Sequence, residues 1–328
     1  MSRLVLHIGT HKTASTTVQD MMHANAALLR DAGVIYPSIG RHSGHHALVA
    51  DWAKLARNFH VPEGGEAALR ALVKDHADSD RTLFLSSEEF SRGHPDGCTD
   101  MALLSEIVSA FSEVEVLVVV KEQWHLLQSI YLEVSKSRQP MRLPELVEHA
   151  CDTGMASGLW LDYGKLFDHL LTGFAAEQIR FVDYRSASSQ PGGIVGFFLR
   201  HLSAGLDVAD LELINDGRSN ASPLALGSWA ANAIAAPDTA TKSLVNMASG
   251  AYTAEFGERP SCIFTRAEIN AIRKRFDASN ERLAQRLEKT QGTFRLSASP
   301  LSKDTVHRED IGPGFWLRCS RRLHHKWA

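Results

Sequence analysis

The N-terminus constrains the fold most, because an apolar run there is followed at once by a polar loop and then by a helical pattern. Leu4 to Ile8 is a short apolar run of the kind found in buried strands. From Val18 to Leu28, apolar residues recur at roughly helical spacing. A helix that begins just after a strand and a short loop presents unpaired N–H groups and a partial positive charge to an anion. The sequence therefore predicts a phosphate-binding loop between residues 9 and 17.

The loop itself carries suitable donors. Lys12 supplies a full charge, and the next five residues supply the hydroxyl groups. The hydroxyl residues are Thr13, Ser15, Thr16 and Thr17. An NTPase P-loop has a Gly-Lys pair five residues after its first glycine, but counting from Gly9 those positions hold Ala14 and Ser15. A Ser/Thr cluster that merely caps a helix is the alternative interpretation.

Composition limits the class of protein. The 328 residues are 44% hydrophobic and 22% charged, with a net charge of −3, which is typical of a soluble globular protein without general affinity for nucleic acid. No apolar run approaches a membrane span, and the N-terminal strand and loop do not resemble a signal peptide. Four separated cysteines without a CxxC pair favour reduced thiols and a cytoplasmic location.

Strand and helix patterns alternate along the first two thirds of the chain. Four apolar runs read as buried strands: Leu4–Ile8, Thr82–Ser86, Val114–Val120 and Ile179–Asp183. A shorter run at Val34–Tyr36 adds a minor strand or ends the first unit. This alternation predicts an α/β fold, with a P-loop-like parallel β-sheet flanked by helices and a largely helical C-terminal part. We expect one domain, with a nucleotide-binding core over residues 1–220 and a helical extension over 221–328.

Helical patterns fill the segments between and after these strands. They are predicted over His45–Phe59, Gly65–Ala77, Ile194–Leu202 and most of Ser222–Leu287, with breaks near Pro237 and Phe256–Pro260. The tail from Arg318 to Lys326 is rich in basic residues. We expect a solvated, partly frayed segment there, and a basic flap over an anionic ligand is the alternative.

A second anion site is predicted at the end of the third main strand. Lys121 follows that strand directly, and ligands of open parallel sheets bind beyond the carboxyl ends of the strands. Ser129 follows eight residues later on a predicted helix. Two separate anion sites suit a nucleotide that has phosphates at both ends.

These two segments resemble those of sulfotransferases that use 3′-phosphoadenosine 5′-phosphosulfate (PAPS). Their loop pattern is Pro-Lys-Thr-Gly-Thr-Thr, and this chain has His11-Lys12-Thr13-Ala14-Ser15-Thr16, followed by Thr17. Their second pattern is a strand ending in Arg, then a Ser about eight residues on and a nearby Tyr, matched here by Lys121, Ser129 and Tyr131. Weaker matches lie at Ser86–Phe90, Asn220–Ser222 and Phe276–Ala284.

The resemblance implies a PAPS-dependent sulfotransferase that uses PAPS as co-substrate and no metal. Lys12 would contact the oxygen that bridges sulfur and phosphorus, while Thr16 and Thr17 would hold the 5′-phosphate. Lys121 and Ser129 would hold the 3′-phosphate. Lysine in place of arginine keeps the charge and loses the two-pronged contact. The acceptor would be a small molecule or a carbohydrate, and the oligomeric state is left open.

A base must take the proton of the acceptor hydroxyl, and two groups of residues compete for that role. The first is the cluster His42, His45 and His46, and the second is Glu88 or Glu89 after the second main strand. The histidines are preferred here because a neutral imidazole has a suitable pKa, with Glu88 as base or orienting partner. His42 and His46 also have the i, i+4 spacing of some zinc sites, but the ligand set is incomplete.

Two other functions remain open on the residues alone. A P-loop-like small-molecule kinase would need the Gly-Lys-Ser/Thr core and an acidic Mg²⁺ ligand, neither of which is evident. A nucleotide-binding homologue without catalysis would be consistent with Ala14 and Lys121, which depart from the sulfotransferase pattern.

Overall fold

The computed structural model describes residues 1–95, 97–214 and 224–327. Its strands are β1 Arg3–His7, β2 Val34–Ile35, β3 Thr82–Ser86, β4 Glu113–Val120, β5 Met155–Ala156, β6 Leu159–Trp160, β7 Ile179–Asp183, β8 Ser261–Cys262 and β9 Val306–His307. Its helices are α1 Ser15–Ala24, α2 Ala26–Asp31, α3 Gly65–His76, α4 Met101–Val108, α5 Gln123–Val134, α6 Leu143–Thr153, α7 Tyr163–Leu170, α8 Tyr184–Ser188, α9 Gly193–His201, α10 Ala225–Ala235, α11 Lys242–Phe256, α12 Arg266–Gln291 and α13 Pro313–Trp327.

The chain divides into two compact units. The first, the sheet unit, contains Met1–Lys121, Gly158–Asn220 and Ala278–Ser297; the second, the helical unit, contains Glu122–Ser157, Ala221–Asp277 and Ala298–Ala328. Each unit is assembled from three segments, whereas the sequence predicts one division at residue 220. The single domain with that division stays a prediction.

The sheet unit is built on five parallel strands in the order β2-β3-β1-β4-β7. Arg3 to His7 of β1 pair in register with Thr82 to Ser86 of β3 on one side and with Glu113 to Leu117 of β4 on the other. All four main strands and the minor one are confirmed as strands: Thr82–Ser86 and Ile179–Asp183 have the predicted bounds, and the others differ by one residue at one or both ends. The predicted α/β fold is confirmed.

Burial of the sheet on both faces explains why the strands read as continuous apolar runs. One face packs Val5, Phe84 and Val119 against apolar residues of α1 and α9, including Val18 and Phe198. The residues of the other face of the same strands are equally buried: Leu4, Leu6, Leu83, Leu85, Val116 and Val118 are at most 1% exposed. The core therefore anchors β1 and α1 rigidly on either side of the loop that joins them.

The helical unit is organised by α10, α11 and α13. Leu226 and Ala230 of α10, Ala248 and Tyr252 of α11 and Phe315 of α13 share one buried cluster. The breaks predicted near Pro237 and Phe256–Pro260 are confirmed, because α10 ends at Ala235 and α11 at Phe256. The predicted helix start at Asn220–Ser222 lies outside the described residues.

Two predicted segments differ in the structure. The stretch from His45 to Phe59 is not a helix but two short 3-10 turns, His46–Val49 and Arg57–Phe59, because His45 is hydrogen-bonded to the end of β3. The basic tail is not frayed through residue 324 but lies on helix α13, which buries Phe315 and Cys319. In the described ranges, no helix is long and apolar enough to cross a membrane.

Candidate functional site

The loop between β1 and α1 continues the pairing of β1 with β4 before it turns toward the helix. The Thr10 N–H donates to the Val119 carbonyl at 2.6 Å, and the Val119 N–H donates to the Gly9 carbonyl at 2.5 Å. Gly9 has φ +82°, and a Cβ on it would lie 2.7 Å from the Cβ of Glu88. Glycine is therefore required where the loop passes the residues after β3.

Two non-glycine residues of the loop adopt the left-handed conformation, Lys12 with φ 64° and Ala14 with φ 63°. For residues with a Cβ this conformation is uncommon and strained by about 1 to 2 kcal/mol. Such turns direct successive backbone N–H groups to one side and form concavities that bind anions. Ala14 thus adopts the backbone conformation that the glycine of the sulfotransferase pattern reaches without strain.

The hydroxyl groups of the loop divide into two roles. The Thr13 hydroxyl is buried and donates to the Thr10 carbonyl at 2.5 Å, so it shapes the loop. Within the described residues, the hydroxyls of Ser15 and Thr16 make no hydrogen bond, and no side chain caps α1 at Ala14. Thr17 is buried at the first turn of α1. The helix therefore begins with donors that a ligand can engage.

Lys121 lies at the carboxyl end of β4, in the same unit as Lys12. Its backbone carbonyl accepts a 2.5 Å hydrogen bond from the Tyr163 hydroxyl, which fixes the chain where the strand ends. Burial and, after it, the charge of Lys12 lower the pKa of Lys121 to about 7. The charge of Lys12 thus acts on Lys121, which lies directly after β4.

Ser129 lies on α5, which belongs to the helical unit. Its hydroxyl donates to the carbonyl of His125 at 2.8 Å, one turn earlier on the same helix. Its joint binding of a 3′-phosphate with Lys121 stays a prediction.

Glu88 follows β3 on the other side of β1. Its Oε2 accepts a 2.9 Å hydrogen bond from Nε2 of Gln19 on α1. Burial alone would raise the pKa of this carboxyl group, but the charges of His11 and His46 and the hydrogen bond from Gln19 outweigh it and lower the pKa. Glu88 is therefore ionised at neutral pH and accepts protons or hydrogen bonds.

Glu89 has a structural role instead. Arg92 binds its carboxylate with two nitrogens, and His11 Nε2 lies 3.1 Å from its Oε1. Burial opposes ionisation, but the hydrogen bonds of His11 and Arg92 dominate and place the pKa of Glu89 well below its ordinary value. These contacts hold His11, a predicted nucleotide-binding residue, against the residues that follow β3.

The three histidines after α2 have different environments. His45 is 1% exposed, its Nδ1 accepts from the Ser86 N–H at 2.8 Å, and its Nε2 donates to the Pro37 carbonyl at 2.7 Å. Burial lowers the pKa of His45 to about 4. With both nitrogens bound to backbone, His45 fastens the loop to β3 and has no free position for a proton.

His46 and His42 lie together around Phe59. The His42 ring stacks on Phe59 with centroids 4.2 Å apart, and the His46 ring meets Phe59 edge-on at 5.3 Å. His46 Nδ1 lies 2.9 Å from the Ser87 hydroxyl, so Nε2 is the nitrogen on the side away from Ser87. The zinc alternative has no support in the described residues, where no group of three or more His, Cys, Asp and Glu has a metal-binding arrangement.

Sequence reasoning missed two buried polar residues beneath this site. His7, at the end of β1, is 1% exposed and places Nδ1 2.9 Å from the Ser86 hydroxyl. Gln19 is 2% exposed and joins α1 to β3. A detectable signal exists for Gln19, which is an uncharged polar residue within the apolar pattern of Val18, Met21 and Met22.

Comparison with known proteins gives structural matches only. No protein-family model matches the chain, and no curated protein does. A sulfotransferase from Alicyclobacillus acidocaldarius matches at 12% identity and a TM-score of 0.41, over 65% of this chain and 87% of its own. The sulfotransferase domain from the curacin biosynthetic pathway matches at 12% identity and a TM-score of 0.39, over 84% of this chain and 98% of its own. The chain's own residues therefore carry the functional argument.

Proposed function

We propose that this protein transfers a sulfuryl group from PAPS to the hydroxyl group of an acceptor. The observation that carries the proposal is the loop before α1, where Lys12 and Ala14 are left-handed and no side chain caps the helix N-terminus, with Lys121 directly after the neighbouring strand β4. Bringing two ammonium groups together in a partly buried place is unfavourable, and an anion bound there removes the repulsion. A nucleotide with separate phosphates matches two cations on neighbouring strands.

The order of the strands supports separate places for the nucleotide and for the acceptor along the edge of the sheet around β1. Lys121 ends β4 on one side of β1, and Glu88 follows β3 on the other, with the Lys12 loop between them. We assign the 5′-phosphosulfate to Lys12 and to the hydroxyls of Ser15, Thr16 and Thr17, and the 3′-phosphate to Lys121 and Ser129. The acceptor then approaches from the β3 side, where the candidate bases are.

The chemistry requires charge stabilisation and one proton transfer. PAPS supplies the sulfuryl group: the acceptor oxygen bonds to sulfur as the bond from sulfur to the 5′-phosphate oxygen breaks. Lys12 stabilises the charge that develops on that leaving oxygen. Glu88, which is ionised, accepts the acceptor's proton, while His46 lies beside it with Nε2 directed away from Ser87.

This assignment changes the preference that the sequence suggested. His45 was one of the preferred bases, and both of its nitrogens are bound to the backbone, so we assign it to holding the loop. A small-molecule or carbohydrate acceptor remains part of the proposal because of the resemblance to sulfotransferases, and a cytoplasmic location because of the four separated cysteines.

Nucleotide preference is the first test. Thermal shift should show stronger stabilisation by 3′-phosphoadenosine 5′-phosphate than by ADP or AMP, and about 2.7 kcal/mol of stabilisation at 100 times the dissociation constant. Lys74→Ala, which removes an exposed lysine of α3, is the matched control for Lys12→Ala and Lys121→Ala. A preference for ATP with magnesium would favour the kinase instead.

Turnover is the second test. Transfer of labelled sulfate from PAPS to a panel of carbohydrate and small-molecule alcohols should occur without added magnesium. Tight binding of the nucleotide without transfer to any acceptor would identify a non-catalytic homologue.

A further inference from the structure

Gln19 has a defined orientation in the structure. Its Nε2 lies 2.9 Å from Glu88 Oε2, 3.2 Å from the Ser86 hydroxyl and 3.4 Å from the Ser86 carbonyl. The carboxylate and the carbonyl can only accept hydrogen bonds, so the NH₂ end of the amide must face them. The orientation of the side chain is thereby determined by its partners.

The other end of the amide faces His46 across Gly44. A Cβ on Gly44 would lie 2.6 Å from Gln19 Oε1 and 2.7 Å from His46 Nε2. Gly44 has no left-handed backbone angle, so glycine is needed here for space alone. The absence of a side chain at residue 44 lets the amide oxygen and the imidazole nitrogen border the same small space.

This arrangement separates the roles of His46 and Glu88. The Ser87 hydroxyl lies 2.9 Å from His46 Nδ1, so Nε2 is the nitrogen of His46 that borders this space together with the amide oxygen. A carboxylate that receives the amide N–H is instead held as an acceptor. One side chain therefore presents a donor and an acceptor to the same region.

We propose that Gln19 is a positioning residue that holds Glu88 as the proton acceptor for the acceptor hydroxyl. This inference rests on the proposed function. It deepens that function by naming the residue that assigns the base to the carboxylate and not to the imidazole. Gln19 is on α1, directly after the phosphate loop, so the same helix that faces the nucleotide also orients the base.

The charged groups around Glu88 are consistent with this role. His11 of the loop and His46 lower the pKa of the carboxyl group, together with the Gln19 amide. His7 of β1 and Tyr36 after β2 also face Glu88, and burial keeps both uncharged, with the pKa of His7 lowered to about 4 and that of Tyr36 raised. Removing the amide donor removes one of the few groups that stabilise the ionised carboxylate.

Gln19→Met tests the proposal because it keeps the length of the side chain and removes both polar ends. We expect the acidic limb of the kcat profile to move to higher pH and plateau kcat to fall about tenfold, with the dissociation constant of 3′-phosphoadenosine 5′-phosphate within about twofold of wild type. Gln291→Met is the matched control. Its amide binds the backbone of Phe181 on β7, far along the chain from Glu88, and its pH profile should be unchanged.

Two further variants distinguish a positioning role of Gln19 from a role in packing alone. Gln19→Glu keeps the shape but sets a second carboxylate against the carboxylate of Glu88 and the carbonyl of Ser86, so the acidic limb should also move to higher pH even if Gln19→Met does not fold. Gly44→Ala should lower kcat by displacing His46 and the amide together, whereas Gly312→Ala, where a Cβ meets nothing within 4 Å, should not.

A measurement independent of activity distinguishes this proposal from the proposed function. Carboxyl NMR of ¹³C-labelled protein, with the Glu88 signal assigned by Glu88→Gln, should show a higher pKa for Glu88 in Gln19→Met than in wild type. An unchanged Glu88 titration overturns the positioning role even if sulfuryl transfer is found. Wild-type protein that binds no 3′-phosphoadenosine 5′-phosphate overturns the proposed function and removes the catalytic role of Gln19 with it, whatever the titration shows.

Discussion

Charged side chains are arranged differently at the two ends of the parallel sheet. At the amino ends of β1, β4 and β7, basic side chains surround the buried carboxylate of Glu115. Arg3 Nη2 lies 2.7 Å from it, Arg180 Nε 2.9 Å and His201 Nε2 3.1 Å. At the carboxyl ends of β1 and β4, the Lys12 and Lys121 cations instead repel each other.

The pKa values of Glu115 and Lys121 reflect these different surroundings. Burial would raise the pKa of Glu115, but the hydrogen bonds and charges of His201 and Arg3 outweigh it and lower the pKa to about 2. Burial and Lys12 lower the pKa of Lys121 to about 7. Hydrogen bonds and opposite charges outweigh burial at Glu115, whereas at Lys121 burial is the larger cause and the like charge of Lys12 adds to it.

The amino ends contain a cavity, whereas the proposed site lies at the carboxyl ends. The amino ends border a polar cavity of about 640 Å³, in which Arg3 and Arg180 are already engaged by Glu113 and Glu115. The carboxyl ends combine a helix N-terminus with two cations whose repulsion an anion would relieve. The unfavourable electrostatics, more than the volume, distinguish the end that is suited to a ligand.

The largest expected effect is on catalysis at the carboxyl end. Lys12→Ala should lower kcat by about 10² to 10³-fold, because it removes the charge that stabilises the leaving oxygen, and should change stability little. Arg180→Ala removes an equal charge at the amino end and should leave kcat within about twofold. Steady-state kinetics with saturating PAPS measure kcat of both variants. Equal losses of kcat in Lys12→Ala and Arg180→Ala would contradict the expected difference between the two ends of the sheet.

A large effect on stability is expected at the amino end. Glu115→Gln should lower the free energy of unfolding by about 2 to 3 kcal/mol at pH 7, because the lowered pKa of Glu115 reflects stabilisation of the folded state. That stabilisation is present above the ordinary pKa near 4.5 and is lost as pH falls from there toward about 2. Urea unfolding of both proteins at pH 7 and pH 3 should show a difference that shrinks at the lower pH.

A smaller effect is expected on nucleotide affinity. Lys121→Ala should weaken binding of 3′-phosphoadenosine 5′-phosphate about tenfold, and Lys121→Arg should keep or improve it, since arginine offers a two-pronged contact. Because the pKa of Lys121 is about 7, its charge is present below that pH and lost above it. Affinity of wild type should therefore fall as pH rises through 7, and that of Lys121→Arg should not.

Calorimetric titration at pH 6, 7 and 8 measures these affinities. Ser129→Ala should also weaken binding, which tests whether the helical unit contributes to the 3′-phosphate site. If the affinities of wild type and Lys121→Arg depend on pH in the same way, a group other than Lys121 titrates.

The smallest effect concerns strain in the loop. Ala14→Gly should raise the free energy of unfolding by about 0.5 to 1 kcal/mol, since relief of the left-handed strain exceeds the extra freedom of glycine in the unfolded chain. Thermal denaturation of wild type and Ala14→Gly measures this difference in stability. Destabilisation by this change would show that Ala14 is not strained in solution.

Local patterns were enough to predict most of the sheet unit. The apolar runs of β1, β3, β4 and β7 are recognisable because a strand buried on both faces has apolar residues at nearly every position. The loop with Lys12 and the position of Lys121 follow from the same reasoning, since parallel strands end at a common edge. The helix predicted from His45 was wrong because a long-range hydrogen bond to β3 overrode the local pattern.

The amino-acid sequence by itself determined the strand–loop–helix unit, the parallel sheet and the basic residues at its carboxyl edge, because these depend on apolar periodicity and on residue order. Only the tertiary structure decided which histidine is locked to the backbone, that Ala14 is left-handed, and that Gln19 joins Glu88 to α1. Hydrogen-bond partners and burial come from residues tens of positions apart. No pattern within one segment specifies which of several neighbouring polar side chains will be enclosed and which will face a ligand.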